Sequence, residues 1–151
     1  MVIGLSDDRF VHKQGLYEKY FKRAIDIVCS LLAIIVFCWL YALVALLVKV
    51  KLGSPIIFRQ PRPGKDEKVF MMYKFRTMTD ERDSDGNLLP DDVRLTNFGK
   101  LLRATSLDEL PEVFNILKGD MSIVGPRPQL VRDVVFMTDE QRRRAAVRPG
   151  L

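Results

Sequence analysis

Between Asp26 and Lys49 the chain carries 22 consecutive residues without a charge, Ile27 to Val48. Wound into an α-helix, this run would measure about 33 Å, enough to cross the hydrocarbon core of a bilayer. A chain of 151 residues builds only a modest core, and a helix that is apolar all round needs either a large core or lipid around it. The run begins too far in, and without a small-residue cleavage site, to read as a secretory signal. Both flanks are basic: Lys13, Lys19, Lys22 and Arg23 before it, Lys49, Lys51, Arg59, Arg62 and Lys65 after it. Basic flanks favour the cytoplasmic side, so both ends are expected on one face, as in a helix that enters and returns through one leaflet. Such a bend needs a cause, and the run holds neither Pro nor Gly. A spanning and a re-entrant path both stay open on the residues alone. Ahead of the run, Tyr17 to Asp26 reads as an amphipathic helical approach, with Tyr17, Tyr20 and Phe21 forming a face suited to an interface.

The net charge of +5 is unevenly spread, with +6 over residues 49–78 and −5 over residues 79–92. Basic charge beside a long apolar run points to anionic lipid headgroups or phosphates. Nucleic acid is set aside as a partner, because no aromatic residues alternate with these basic ones to form a stacking platform. Cys29 and Cys38 both lie in the apolar run. Nine residues of helix put them on opposite sides and about 13 Å apart, out of disulfide reach, which fits a reducing compartment. His12 stands alone near the N-terminus, as expected of a surface residue.

Residues 1–16 read as a flexible lead-in, 17–52 as a membrane-associated helical segment and 53–151 as a cytoplasmic catalytic domain. Within the last, Ile56 to Gln60 and Val69 to Thr77 are predicted as two short strands around a turn at Pro61-Arg62-Pro63-Gly64. Alternation along the second strand would aim Lys74 and Arg76 the same way, either into solvent or at a phosphate. Thr79 to Asp92 is acidic and turn-rich. Its spacing resembles a calcium loop but has Glu first and Asp twelfth, so a solvated loop is expected. Thr96 to Arg103 returns to helical spacing, with Leu95, Phe98 and Leu102 on one face, an amphipathic piece expected to lie on the membrane surface. After Pro128, Val131, Val134 and Val135 suggest a further helix.

Ser106 to Pro128 holds the adjacent carboxylates Asp108 and Glu109 at its head and Arg127 between two prolines at its tail. Between them Leu110, Val113, Phe114 and Leu117 fall on one helical face that stops at Gly119. Ser106 and Glu109 have capping-box spacing, which would give the acidic pair a purely structural role. Pro111 would then sit in the second turn of that helix, where its ring is unwelcome. The alternative starts the helix near Pro111, with the acidic pair at its positive end.

The order of these pieces resembles the monotopic phosphoglycosyl transferases, the bacterial sugar transferase family. The resemblance rests on the apolar run followed by Tyr73-Lys-Phe-Arg-Thr-Met78, Leu95-Thr-Asn-Phe-Gly-Lys-Leu-Leu-Arg103, Ser106-Leu-Asp-Glu-Leu-Pro111, Asn115-Ile-Leu-Lys-Gly-Asp-Met-Ser122 and Gly125-Pro-Arg-Pro128. It covers Tyr17 to the C-terminus. It implies transfer of a sugar-1-phosphate from a UDP-sugar to a polyprenol phosphate such as undecaprenyl phosphate, with UMP leaving. Asp108 would be the nucleophile that forms an aspartyl phosphosugar. Glu109 would assist through Mg²⁺, and Arg127, Arg103, Lys74 and Arg76 would serve the phosphates. The implied fold is α/β and α-rich: a re-entrant membrane helix, a β-hairpin, amphipathic interfacial helices and a small catalytic core on the cytoplasmic face of a bacterial inner membrane. Self-association is left open. Two departures stand out. Cys38-Trp39 occupies the place where the family breaks its membrane helix with Ser-Pro, and the chain stops at Leu151, as a truncated or minimal form would. The rival readings are a non-catalytic membrane adaptor and a membrane-anchored phosphohydrolase.

Overall fold

The computed structural model describes residues 15–151. Most of the expected lead-in, with His12 and Lys13, lies outside the described residues. The chain forms two compact units. One comprises residues through Ile35 together with Arg59–Met72 and Glu112–Leu151; the other comprises Val36–Phe58 and Tyr73–Pro111.

A π-helical turn, Tyr17–Phe21, leads into α1, Lys22–Leu52. The helix is continuous through Cys38 and Trp39, because Leu, Ala, Ile and Val follow one another without a breaker. It ends where Gly53 adopts a φ of +82° and returns its N–H to the Lys49 carbonyl at 3.1 Å. Lys49 and Lys51 lie in the last turn, where the helix dipole favours cations. Among the described residues this is the one helix long and apolar enough to cross a bilayer.

In the first unit the charges at the start of α1, read in the sequence as a membrane flank, are engaged by the protein itself. Lys22 Nζ donates to the Val124 carbonyl at 2.8 Å. Arg23 donates to the carbonyls of Ile116 and Leu117 at 2.5 and 2.7 Å. These carbonyls belong to the last residues of α4, Glu112–Lys118, where a cation offsets the negative helix end. Asp26 is buried and accepts from Ser122 Oγ and the Ile123 N–H at 3.1 and 3.0 Å. Met72, Ile116 and Met121 form the small core of this unit, with Phe70 and Ile123 against them.

The two strands, β1 at Ile57–Pro63 and β2 at Val69–Phe75, form an antiparallel pair. The turn expected at Pro61–Gly64 is displaced. β1 runs on through both prolines, and the chain reverses in a 3₁₀ turn at Lys65–Glu67, where Asp66 and Glu67 take positive φ. In a two-stranded sheet every strand is an edge, so a proline without an N–H can be tolerated there. The further helix expected after Pro128 forms at Val131–Phe136 as a 3₁₀ helix, followed by α5 at Asp139–Arg142. A capping box does exist in this chain, at Thr138 and Gln141.

The second unit is built on the C-terminal half of α1. Val44, Val48 and Leu52, spaced by four, are buried with Phe75 and Leu102, and Leu40, Tyr41, Phe98, Leu107 and Leu110 pack around them. Leu102 and Phe98 come from α3, Asn97–Ala104, whose Thr96 cap accepts from the Gly99 N–H at 3.1 Å. Phe98 and Leu102, expected to face the membrane surface, turn instead into the core of this unit, where α1 offers them an apolar partner. A short helix, α2 at Asp91–Arg94, precedes it. The acidic loop before α2 is largely exposed, and Asp83 Oδ1 accepts from the N–H groups of Asp85 and Asn87. Much of the remaining surface of α1, including Ile35, Trp39, Leu46 and Val50, is exposed apolar side chain.

Candidate active site

The acidic pair does not sit in a capping box. Ser106 takes a left-handed φ of +56° and its side chain makes no capping hydrogen bond. Leu107–Glu109 form a single 3₁₀ turn, and α4 starts only at Glu112. Pro111 supplies the reason: its ring cannot follow residues already wound as α-helix, so the chain turns tightly and begins again. The inward face of α4 differs from the apolar face read in the sequence. Glu112, Asn115 and Ile116 are buried while Phe114 is exposed. Asn115 can go inside because its Nδ2 donates to the Met71 carbonyl at 2.8 Å and to Asp120 Oδ2 at 3.3 Å, while its backbone carbonyl accepts from the Gly119 and Asp120 N–H groups at 3.0 Å each.

Within the second unit two elements bond to the acidic turn and a third, α3, packs beside it. From α1, the Tyr41 hydroxyl donates to the Leu110 carbonyl at 2.9 Å. From β2, Lys74 Nζ donates to Glu109 Oε1 at 2.7 Å. From α3, Arg103 Nε donates to Thr77 Oγ1 at 3.1 Å. The approach of α3 depends on Gly99, where a β-carbon would stand 1.9 Å from the Thr77 carbonyl oxygen.

Asp108 is 8% exposed. Burial pushes its carboxyl above the ordinary aspartate range and Glu109 adds to that, while Lys74, a backbone hydrogen bond and Arg103 pull it down. A carboxylate with little water to shed, faced by two cations, is suited to attack a phosphorus atom that would otherwise repel it.

Asp108, Glu109, Lys74 and Arg103 therefore come together. Arg76 stands apart: β2 ends at Phe75, so the shared face expected for Lys74 and Arg76 does not form. Arg76 is buried, with Nε on the Met78 carbonyl at 2.7 Å, Nη1 on the Ser54 carbonyl at 2.5 Å and Nη2 on Asp80 Oδ2 at 2.6 Å. Each of its nitrogens has a protein partner, and it braces the chain on either side of the hairpin.

Arg127 belongs to the first unit, where it lines a shallow open cleft with Glu67, Val134, Met137, Arg142 and Arg144. Its carbonyl accepts from Arg144 Nη2 at 3.1 Å. The Gly125-Pro-Arg-Pro stretch is paired with the chain's end: Ser122 N–H donates to the Pro149 carbonyl at 2.8 Å and Gly150 N–H to the Pro126 carbonyl at 3.0 Å. A β-carbon on Gly125 would lie 2.4 Å from the Arg148 carbonyl oxygen, so the approach demands glycine.

Glu109 carries hard carboxylate oxygens of the kind that hold Mg²⁺ together with substrate phosphates and water, and its Oε1 is paired with Lys74 Nζ at 2.7 Å. Sequence reasoning missed Tyr41, Thr77 and Gly99 as supports of the turn. A hydroxyl in the middle of an apolar run was a usable signal for Tyr41; Thr77 gave none.

A buried carboxylate, Asp108, thus faces basic side chains on a unit cored by part of a long apolar helix. The chain belongs to the bacterial sugar transferase family, whose sequence profile matches residues 17–151. It is 49% identical over 130 residues to the uncharacterized sugar transferase EpsL of Bacillus subtilis (strain 168), covering 86% of this chain and 64% of that protein. It is 39% identical over 138 residues to the UDP-N-acetylgalactosamine-undecaprenyl-phosphate N-acetylgalactosaminephosphotransferase of Aeromonas hydrophila, covering 87% of this chain and 32% of that protein. It is 46% identical over 113 residues to the UDP-glucose:undecaprenyl-phosphate glucose-1-phosphate transferase of Klebsiella pneumoniae, covering 74% of this chain and 24% of that protein. The chain spans less than two thirds of the length of each of these three relatives.

Proposed function

We propose that the protein is a phosphoglycosyl transferase that moves a sugar-1-phosphate from a UDP-sugar to a polyprenol phosphate, with Asp108 as nucleophile. An Asp108 carboxylate oxygen attacks the phosphorus that bears the sugar; the bond to UMP breaks and UMP leaves with the electron pair. An oxygen of the polyprenol phosphate then attacks the same phosphorus, the bond to Asp108 breaks, and a polyprenol diphosphosugar departs with the carboxylate restored. An aspartate ionised at neutral pH needs no general base for the first step. Lys74 orients Glu109 and, with Arg103, sets positive charge against the incoming diphosphate. Glu109 would hold Mg²⁺, which supplies further charge against the phosphates when bound. Arg127 is assigned to a phosphate through the family motif.

The observation that carries the reading is the burial of Asp108 beside the Lys74–Glu109 pair. The missing Ser106 cap weighs against the adaptor reading, in which the acidic pair only caps a helix. The experiment is UMP release across a panel of UDP-sugars with undecaprenyl phosphate, in which Asp108→Asn should be silent. Release of free sugar phosphate without polyprenol would instead favour the hydrolase.

The same reading places α1 in the membrane from the cytoplasmic face without a full crossing. From Leu40 onward the helix packs against the second unit, and Tyr41 is bonded one residue from the charged Glu109, a neighbourhood foreign to hydrocarbon. Because α1 is unbroken from Lys22 to Leu52 and both its ends are held by protein, lipid would meet its exposed apolar face lengthwise, through Ile35, Trp39, Leu46 and Val50, within one leaflet. Entry into one leaflet would hold Asp108 where a lipid phosphate can reach it. Insertion depth can be read by fluorescence quenching of Trp39 with lipids brominated at graded positions: quenching by one leaflet's acyl chains supports shallow entry, and labelling of a terminus from the far side would refute it.

A further inference from the structure

A tyrosine hydroxyl in an uncharged run is costly to bury without a partner, and its ring and its oxygen ask for different surroundings. Tyr41 meets both demands in the second unit: its ring packs with the Val44, Val48 and Leu52 core, while its hydroxyl reaches the Leu110 carbonyl at 2.9 Å. Leu110 directly follows the 3₁₀ turn that carries Asp108 and Glu109, and directly precedes Pro111, where the chain must restart as α4. A turn of three residues between a left-handed Ser106 and a proline has few backbone hydrogen bonds of its own: Glu109 N–H reaches the Ser106 carbonyl at 3.1 Å and Leu110 N–H the Leu107 carbonyl at 3.4 Å. The bond from α1 therefore anchors the turn at the carbonyl that follows Glu109, in addition to the hold of Lys74 on Glu109 itself.

We infer that Tyr41 is a positioning residue for the reaction, its hydroxyl fixing through the Leu110 carbonyl the turn that presents Asp108 to phosphorus. This rests on Asp108 being the nucleophile. In-line attack tolerates little misplacement, and an error near 1 Å can cost about two orders of magnitude in rate. Because the donor sits on α1, the arrangement also ties the geometry of the nucleophile to the helix that meets the lipid.

The test uses the full chain in phospholipid nanodiscs, with undecaprenyl phosphate, Mg²⁺ and whichever of UDP-glucose and UDP-N-acetylgalactosamine the wild type turns over faster. Tyr41→Phe removes the hydroxyl and keeps the ring. Leu40→Ala loosens the same packing without removing a donor. Expected for Tyr41→Phe is a fall in kcat of about tenfold, with KM for the UDP-sugar within twofold and a thermal midpoint near wild type. Leu40→Ala should lower the midpoint and keep kcat at a temperature where it remains folded. Wild-type kcat in Tyr41→Phe would overturn the inference, as would a loss that Leu40→Ala reproduces in step with its lost stability. Asp108→Asn separates the two layers: silence there with an unaffected Tyr41→Phe removes only the role of Tyr41, whereas activity there removes the nucleophile and the inference with it.

Discussion

Lys74 Nζ lies 2.7 Å from Glu109 Oε1, joining β2 to the turn that carries Asp108. The pair is partly shielded, with side-chain exposures of 17% and 22%, so its partners are coupled more strongly than surface ions would be. Lys74→Met should lower kcat/KM by about 10²-fold, because it removes a charge facing the incoming diphosphate and frees Glu109 to move. The same change should cost about 1–2 kcal/mol of stability, from the carboxylate left without its partner. Steady-state UMP release and chemical denaturation of the same preparation check both numbers.

A second expectation concerns pH. Burial raises the Asp108 pKa in the folded chain above that of the unfolded chain. Below the ordinary aspartate pKa both states carry a proton and the residue is neutral to stability. As pH rises through the raised value, the folded state must ionise a poorly hydrated group, and stability is lost. Asp108→Asn should therefore match the wild type near pH 3 and melt at a higher temperature near pH 7, measured without added metal. A variant less stable than wild type at neutral pH would show that the carboxylate is held favourably.

Gly99 offers a sharper structural test. A β-carbon there would fall 1.9 Å from the Thr77 carbonyl oxygen, a backbone atom that cannot swing aside. Gly99→Ala should cost about 3 kcal/mol, at the upper end of overpacking penalties. It should also displace Arg103, which the Thr77 hydroxyl holds. Denaturant midpoints and UMP release should fall together.

Arg23 provides a fourth expectation, independent of catalysis. Its guanidinium caps two carbonyls at the end of α4. Arg23→Met keeps much of the apolar stem and should destabilise by about 2 kcal/mol through the lost charged hydrogen bonds. No loss would mean that lipid or water satisfies those carbonyls as well.

Much of this site could be read from residues because its logic is local. The Leu95–Phe98–Leu102 face, the helix from Thr96 and the long apolar helix follow from spacing and the absence of breakers. The acidic pair at 108 and 109 stands out by charge alone. Other features depend on distant partners. Pro61 and Pro63 promise a turn, yet an edge strand accepts them. Asn115 interrupts an apolar face until the Met71 carbonyl is seen opposite it. Arg76 has the alternation of a ligand but is drawn in by Ser54, Met78 and Asp80. Ser106 has a capping spacing that Pro111 defeats. Of these, only the Pro111 conflict could be read locally; the partners of Asn115 and Arg76 and the edge position of β1 are set by the fold and have no signature in one sequence.

The most direct measurement is mass spectrometry of the chain after brief exposure to Mg²⁺ and a UDP-sugar that it turns over, before and after undecaprenyl phosphate is supplied. The expected result is a phosphosugar adduct on the peptide containing Asp108, which disappears when the lipid phosphate arrives. UMP release without an adduct at that residue, or turnover that survives Asp108→Asn, would contradict the assignment of the nucleophile.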